Sequence, residues 1–227
     1  MIFVPHLKTS LFYKPYSENI LNNSVAWYTF NGNSNDSSTY GSTATLINSP
    51  TYSNNAILLN GTNQYIDCGA SSQTNFTTSD FSISFWIKMT TLPPSANVVV
   101  VYRGEYQLGG YYLDINSSGG IDFATNVSGT SNIASSSSSL VVAGIWYYIT
   151  VIKQGSTQTI YLNTNSVASG TALNPVASDT DLFIGSYFLH GSTTFSNYVS
   201  GAINDFKIYG RALSTSEILY LYHKGAQ

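Results

Sequence analysis

Eleven carboxylates and three histidines carry whatever acid–base or metal chemistry this chain can do. Glycoside hydrolysis needs two carboxyl groups roughly 5–9 Å apart, flanking the scissile bond. The glutamates are Glu18, Glu105 and Glu217, far apart along the chain, and Glu217 has the spacing of a helix-capping residue. Asp179 and Asp181 are the nearest pair, in a turn before an apolar run, where two carboxylates are more often simply solvated. His6, His190 and His223 lack ligand spacing, and no Ser-His-Asp grouping can be assembled. No catalytic residue is expected, and the chain reads as a non-enzyme. Calcium is the better candidate chemistry, because it takes hard oxygens from carboxylates and loop carbonyls. Asp36 lies in a turn-rich run after the first apolar segment, and Asp205 lies in the last one, on the face opposite Phe206. Each also has a simpler use. Asp36 can make an Asx-turn, and Asp205 can pair with Lys207 or Arg211.

A sugar offers a C–H face that stacks on an aromatic ring, and hydroxyls that need donors and acceptors. Its site therefore combines aromatic walls with a few placed polar groups. Among eighteen tyrosines, Tyr102-Arg103-Gly104-Glu105-Tyr106 and Tyr187-Phe188-Leu189-His190, with Tyr198 nearby, have that composition. The candidate carbohydrate contacts are Tyr102, Arg103, Tyr106, Tyr187, His190 and Tyr198, with Arg103 equally able to pair with Glu105. Cys68 is the only cysteine, so no intramolecular disulfide can form, and at a strand end it is expected to be buried.

These side chains sit in a chain of 227 residues with only 8% charged residues, where about 25% is usual. The polarity comes from Ser, Thr, Asn and Tyr, which suits surfaces that touch protein or sugar, where desolvating charge is costly. Eight Lys and Arg, scattered singly, form no basic patch, so nucleic acid is not an expected partner. Pro5 and Lys8 interrupt the first apolar run, so the start does not read as a signal peptide. No stretch approaches the ~18 apolar residues of a membrane span, so no membrane insertion is expected.

The elements that must position the candidates are short apolar segments separated by Gly, Asn and Ser clusters, the pattern of a sandwich. Phe81–Met89 alternates, with Phe81, Ile83, Phe85, Ile87 and Met89 on one face. Further strands are expected at Val25–Phe30, Val98–Tyr102, Tyr111–Ile115, Ile121–Ala124, Leu182–Ser186 and Ala202–Tyr209, with a hairpin of Ile145–Lys153 and Thr159–Asn163. Ser135–Ser139 reads as a flexible loop. One helix is expected at the end, where Ser214-Thr215-Ser216-Glu217 makes a capping box and Leu213 with Ile218 a hydrophobic staple. Residues 1–22 fall outside the strand pattern and read either as an irregular packed segment or as an arm for a partner. The domain proper is 23–227.

Several segments, in order, resemble the laminin-G-like family of the concanavalin A-like superfamily. Val25-Ala26-Trp27-Tyr28-Thr29-Phe30-Asn31-Gly32 is similar to its opening strand, Phe81–Lys88 to its "F-T-I-S-x-W-V-K" strand, and Gly144–Val151 with Ile160–Asn163 to its "L-Y-V-N-G" hairpin. Gly201–Ser214 through Ile218 is close to its closing signature, "G-x-I-D-D-V-R-I-Y-x-R-A-L-S-x-x-E-I", with Asn204 where Asp is common. The resemblance implies an all-β fold, a two-sheet antiparallel jelly-roll sandwich with a short C-terminal helix. It implies that the first and last strands are neighbours, so that Asp36 and Asp205 share a structural Ca²⁺, and that Trp27 and Trp146 are core residues. Trp86 is expected to pack under a loop. The function expected is a non-catalytic lectin-like surface module, a virion (phage) structural or decoration protein that contacts host glycans. The alternatives are a carbohydrate-binding module of a secreted or cell-surface adhesion system, or a glycoside hydrolase. The expected partners are glycans, other virion or surface proteins bound through the N-terminal arm, and further copies in a homo-oligomer. The expected location is a virion surface or the extracellular space.

Overall fold

The computed structural model describes Ile20, residues 23–188 and residues 194–225. Its strands, in chain order, begin with β1 (Ser24–Tyr28), β2 (Thr45–Ile47), β3 (Thr51–Ser53), β4 (Ala56–Asn60), β5 (Tyr65–Asp67) and β6 (Phe81–Met89). Next come β7 (Val98–Glu105), β8 (Gly109–Ile115), β9 (Ile121–Val127), β10 (Thr130–Ser135), β11 (Tyr147–Gln154) and β12 (Thr157–Leu162). The last are β13 (Asn165–Thr171), β14 (Leu182–Ile184), β15 (Tyr187–Phe188), β16 (Phe195–Ser196) and β17 (Ser200–Tyr209), followed by helix α1 (Thr215–Lys224). One sheet runs β13-β12-β11-β6-β17-β4-β3, with β1 also on β17, and the second runs β10-β9-β8-β7-β14-β5-β2. All the pairings are antiparallel. This is the expected two-sheet sandwich.

The alternation in β6 does what a period of two requires. Phe81, Ile83, Phe85, Ile87 and Met89 are buried between the sheets with Phe206 and Ile208 of β17 and Leu113, Ile115 and Phe123 of the second sheet. The outer face of each sheet is covered as well. On the first, Trp86, Tyr148, Ile152 and Tyr209 meet Leu213, Ile218 and Leu221 of α1 and its approach, together with Ile20. On the second, Val99, Tyr102 and Phe183 carry Tyr187, Phe188 and Phe195, the residues of the β15–β16 hairpin.

α1 is the helix the capping box predicts. The Ser214 hydroxyl accepts from the Glu217 N–H, and the Glu217 carboxylate accepts from the Ser214 N–H at 2.8 Å. Arg211 grips the same carboxylate at 3.0 and 2.8 Å, fixing the helix start to the end of β17. Gly225 closes the helix, and a Cβ there would lie 2.7 Å from the indole nitrogen of Trp86.

Three expectations need correction. Ser135–Ser139 is a tied turn: Ser135 ends β10, the Ser136 N–H bonds the Ile121 carbonyl at 2.9 Å, and the Ser139 N–H bonds the Ser118 carbonyl at 2.6 Å. Neither Trp27 nor Trp146 is in the core: Ala26 and Tyr28 take the inward positions of β1 and turn the Trp27 indole outward, and Trp146 packs, partly buried, on the outer layer beneath α1. Trp86 lies under a helix instead of a loop, stacked on Tyr222 with ring centroids 5.3 Å apart. The expected arm, residues 1–22, lies outside the described residues except for Ile20, which is buried beneath α1.

Candidate functional site

β7 and β8 form a hairpin in the middle of the second sheet, pairing Val99 with Asp114 and Tyr102 with Tyr112. A register shift between Val99 and Val101 inserts an extra residue in β7. Such a bulge reverses the alternation beyond it. Val99 and Tyr102 therefore both face outward, while Val100 and Val101 point into the core. In β8 the alternation is undisturbed, so Tyr111, Leu113 and Ile115 are buried inward and Tyr112 and Asp114 face out. The hairpin closes tightly because Gly104 and Gly110 lie against each other across the pair, where any Cβ would strike the opposite backbone.

Outward from this hairpin lies a cleft of about 260 Å³ lined by Asn97, Val99, Tyr102, Tyr106, Tyr112, Asp114, Tyr187 and Asn197. Tyr106, in the turn between β7 and β8, is 51% exposed, and its ring centroid is 6.3 Å from that of Tyr112. Tyr187 meets Tyr102 edge-on at 5.5 Å, and the Tyr102 hydroxyl donates to the Phe188 carbonyl at 3.0 Å. That bond fixes the small hairpin over the sheet. Burial holds Tyr102 well above the usual phenol range and pushes Tyr112 up to about 12, so both stay neutral donors. Asp114 is 94% buried at the cleft floor (6% exposed) and accepts from the Asn97 amide at 2.9 Å. Burial, opposed by that amide and reinforced by Asp122 across the β8–β9 pair, pushes its carboxyl up to about 7. The cleft thus offers four aromatic rings, two amides and one carboxyl that exchanges its proton near neutrality.

Three of the six expected sugar contacts, Tyr102, Tyr106 and Tyr187, come together here. Tyr198 lines an adjoining cleft. His190 lies outside the described residues. Arg103 is a correction. It is the inward neighbour of Tyr102, 1% exposed, and its guanidinium donates to the Gly69 and Ser71 carbonyls at 3.2 and 3.0 Å rather than pairing with Glu105. Its role is to hold the chain after β5. Asn97, Val99, Tyr112, Asp114 and Asn197 were not foreseen. One signal was available in β8, where Asp114 stands in an otherwise apolar strand on the same side as Tyr112.

The expected calcium ligands, Asp36 and Asp205, both engage protein donors. Asp36 makes the Asx-turn, accepting from the Ser38 N–H at 2.8 Å, and it also accepts from the Trp27 N–H at 2.9 Å and the Ser42 N–H at 3.2 Å. Asp205, at a bulge of β17 with φ 52°, accepts from the Trp27 indole at 2.8 Å and contacts the buried Lys207 ammonium. The two carboxylates thus flank Trp27, each taking N–H donors, and a shared cation would compete with Lys207. Among the described residues, no three His, Cys, Asp or Glu side chains group into a metal-holding cluster.

A family model described as the concanavalin A-like lectin/glucanases superfamily matches residues 60–219. No curated protein matches the sequence. Among solved structures, the fold is similar to the binding domain of botulinum neurotoxin serotype C1, with a TM-score of 0.74 at 15% identity over 91% of this chain and 53% of that one. The serotype G binding domain gives 0.71 at 20% identity over 89% and 51%. The serotype D ligand-binding domain, solved in complex with N-acetylneuraminic acid, gives 0.73 at 18% identity over 89% and 51%. The chain spans about half the length of these toxin domains, and at such identities the likeness is one of fold.

Proposed function

Starting from the premise that this chain belongs to the concanavalin A-like lectin/glucanases superfamily, we propose that it is a non-catalytic, lectin-like module that holds a glycan in the tyrosine cleft. The observation that carries this reading is the convergence of Tyr102, Tyr106, Tyr112 and Tyr187 with Asn97, Asn197 and Asp114 on one outer sheet face. Apolar walls with a few placed polar groups are the composition of a small-molecule site. Hydrolysis fits the cleft poorly. A glycosidase sets two carboxyls on either side of the scissile bond, and Asp114 is the one carboxyl that lines this cleft among the described residues. The serotype D ligand-binding domain, about half of which this fold resembles, was solved in complex with N-acetylneuraminic acid, which supports the choice of a sugar as ligand.

The low charge of the chain agrees with a place on an outer surface, extracellular or on a virion, where it would meet cell-surface glycans. Mass spectrometry of purified particles or culture supernatant tests that placement. The binding itself is tested by a glycan array probed with the full chain and with Tyr106→Ala. Retention of a defined set of glycans, weakened by the substitution, is expected. Retention of none, or retention indifferent to Tyr106, overturns the reading.

A further inference from the structure

We infer that the ligand of this cleft is an extended glycan of two or more rings, lying across the tyrosine cleft and a second cleft that joins it at Asn97 and Asn197. This rests on the proposed function and specifies its ligand. The second cleft, of about 250 Å³, is walled by Leu92, Pro93, Pro94, Tyr198 and Ser200, and it shares both asparagines with the first. Either cleft alone falls below the roughly 300–1,000 Å³ usual for a small-molecule site, and the two joined fall within it.

The seam has the groups a sugar linkage needs. Asn97 donates its amide N–H to Asp114 at 2.9 Å, and its side-chain carbonyl accepts no bond from the described residues. Asn197 accepts from the Val99 N–H through its backbone carbonyl at 3.1 Å, and its side-chain amide bonds none of the described residues. Both residues line both clefts, so an acceptor from Asn97 and a donor–acceptor pair from Asn197 are at hand where hydroxyls flanking a glycosidic bond would lie. Beyond the seam, Tyr198 and the exposed Pro94 supply apolar surface for the C–H face of a further ring. Tyr198 packs near Tyr65, with ring centroids 6.4 Å apart, which holds its ring in place. Gly61 keeps this wall close to β17, because a Cβ there would come within 2.6 Å of the Ser200 Cβ.

The test is an array of mono- to hexasaccharides that includes galactose, lactose, N-acetylneuraminic acid and 3′-sialyllactose, followed by calorimetry on the retained compounds. The best glycan of two or more rings is expected to bind at least about tenfold more tightly than any single ring it contains. Tyr198→Ala should erase that gain, whereas Tyr106→Ala should weaken every retained glycan. Leu219→Ala, on the exposed face of α1, serves as the control, and circular dichroism checks that each variant is folded. Should Tyr198→Ala not fold, Tyr198→Leu reads out the same loss. A single ring bound as tightly as its longer parents, or a gain that survives at position 198, overturns the two-cleft inference and leaves the module a lectin. Failure to retain any glycan removes the proposed function itself.

Discussion

Tyr102 and Arg103 are neighbours in the chain with opposite surroundings, one lining the cleft and the other sealed behind it. Arg103→Ala removes two charge-assisted bonds from a buried guanidinium to loop carbonyls, so we expect a loss of about 2–4 kcal/mol in denaturant unfolding with glycan retention unchanged in the folded fraction. Lost retention at full stability would return Arg103 to the binding site. Asp114 makes a prediction about pH. Its folded carboxyl titrates at about 7, above its ordinary value of 3.8, so the folded state keeps a proton that the unfolded chain gives up. Stability from this group is present in acid and lost as pH rises from about 4 through 7. Asp114→Asn should therefore stabilise the protein by about 1–3 kcal/mol at pH 8 and change it little at pH 4. Equal effects at both values would show that Asp114 titrates normally. Asp36 and Asp205, with N–H donors already on their oxygens, predict a Tm indifferent to EDTA, and a fall restored by added Ca²⁺ would reinstate the ion. Of these positions, Asp36 could be read from its turn-forming spacing. Arg103 could not, because its direction depends on a bulge that no side chain announces.

At the scale of elements, legibility followed periodicity. β6 alternates without interruption and α1 opens with its capping box, so both were plain from residue types. β7 begins with Val98-Val99-Val100-Val101, where every residue suits either face, and the inserted residue that turns Tyr102 outward leaves no polar mark. β10 and β13 are mostly Ser, Thr, Asn and Ala, too polar to stand out from loops, and owe their strand form to their neighbours. The α1 cap can be weighed directly. Ser214→Ala should lower stability by roughly 1 kcal/mol through loss of the hydroxyl bond to the first turn, while Glu217 keeps its grip on Arg211. An unchanged urea midpoint would mean that Arg211 alone positions the helix.

For the whole molecule, three apolar layers matter: the core between the sheets, the α1 layer and the small-hairpin layer. Ile20 belongs to the second, so the boundary at residue 22 cuts through a packed contact. A chain starting at residue 20 keeps this contact. One starting at residue 23 should be less stable by about 2–4 kcal/mol, the cost of emptying a buried aliphatic position. Identical melting of the two truncations would show that Ile20 contributes nothing. The layer under α1 also has an optical consequence. Trp86 is sealed there against Tyr148 and Tyr222, whereas Trp27 and Trp146 are partly exposed and each has a lysine ammonium over its ring. The chain therefore carries a built-in fluorophore for one event, the lifting of its C-terminal helix. A red shift in Trp86 emission that precedes global unfolding would time that motion without any added label.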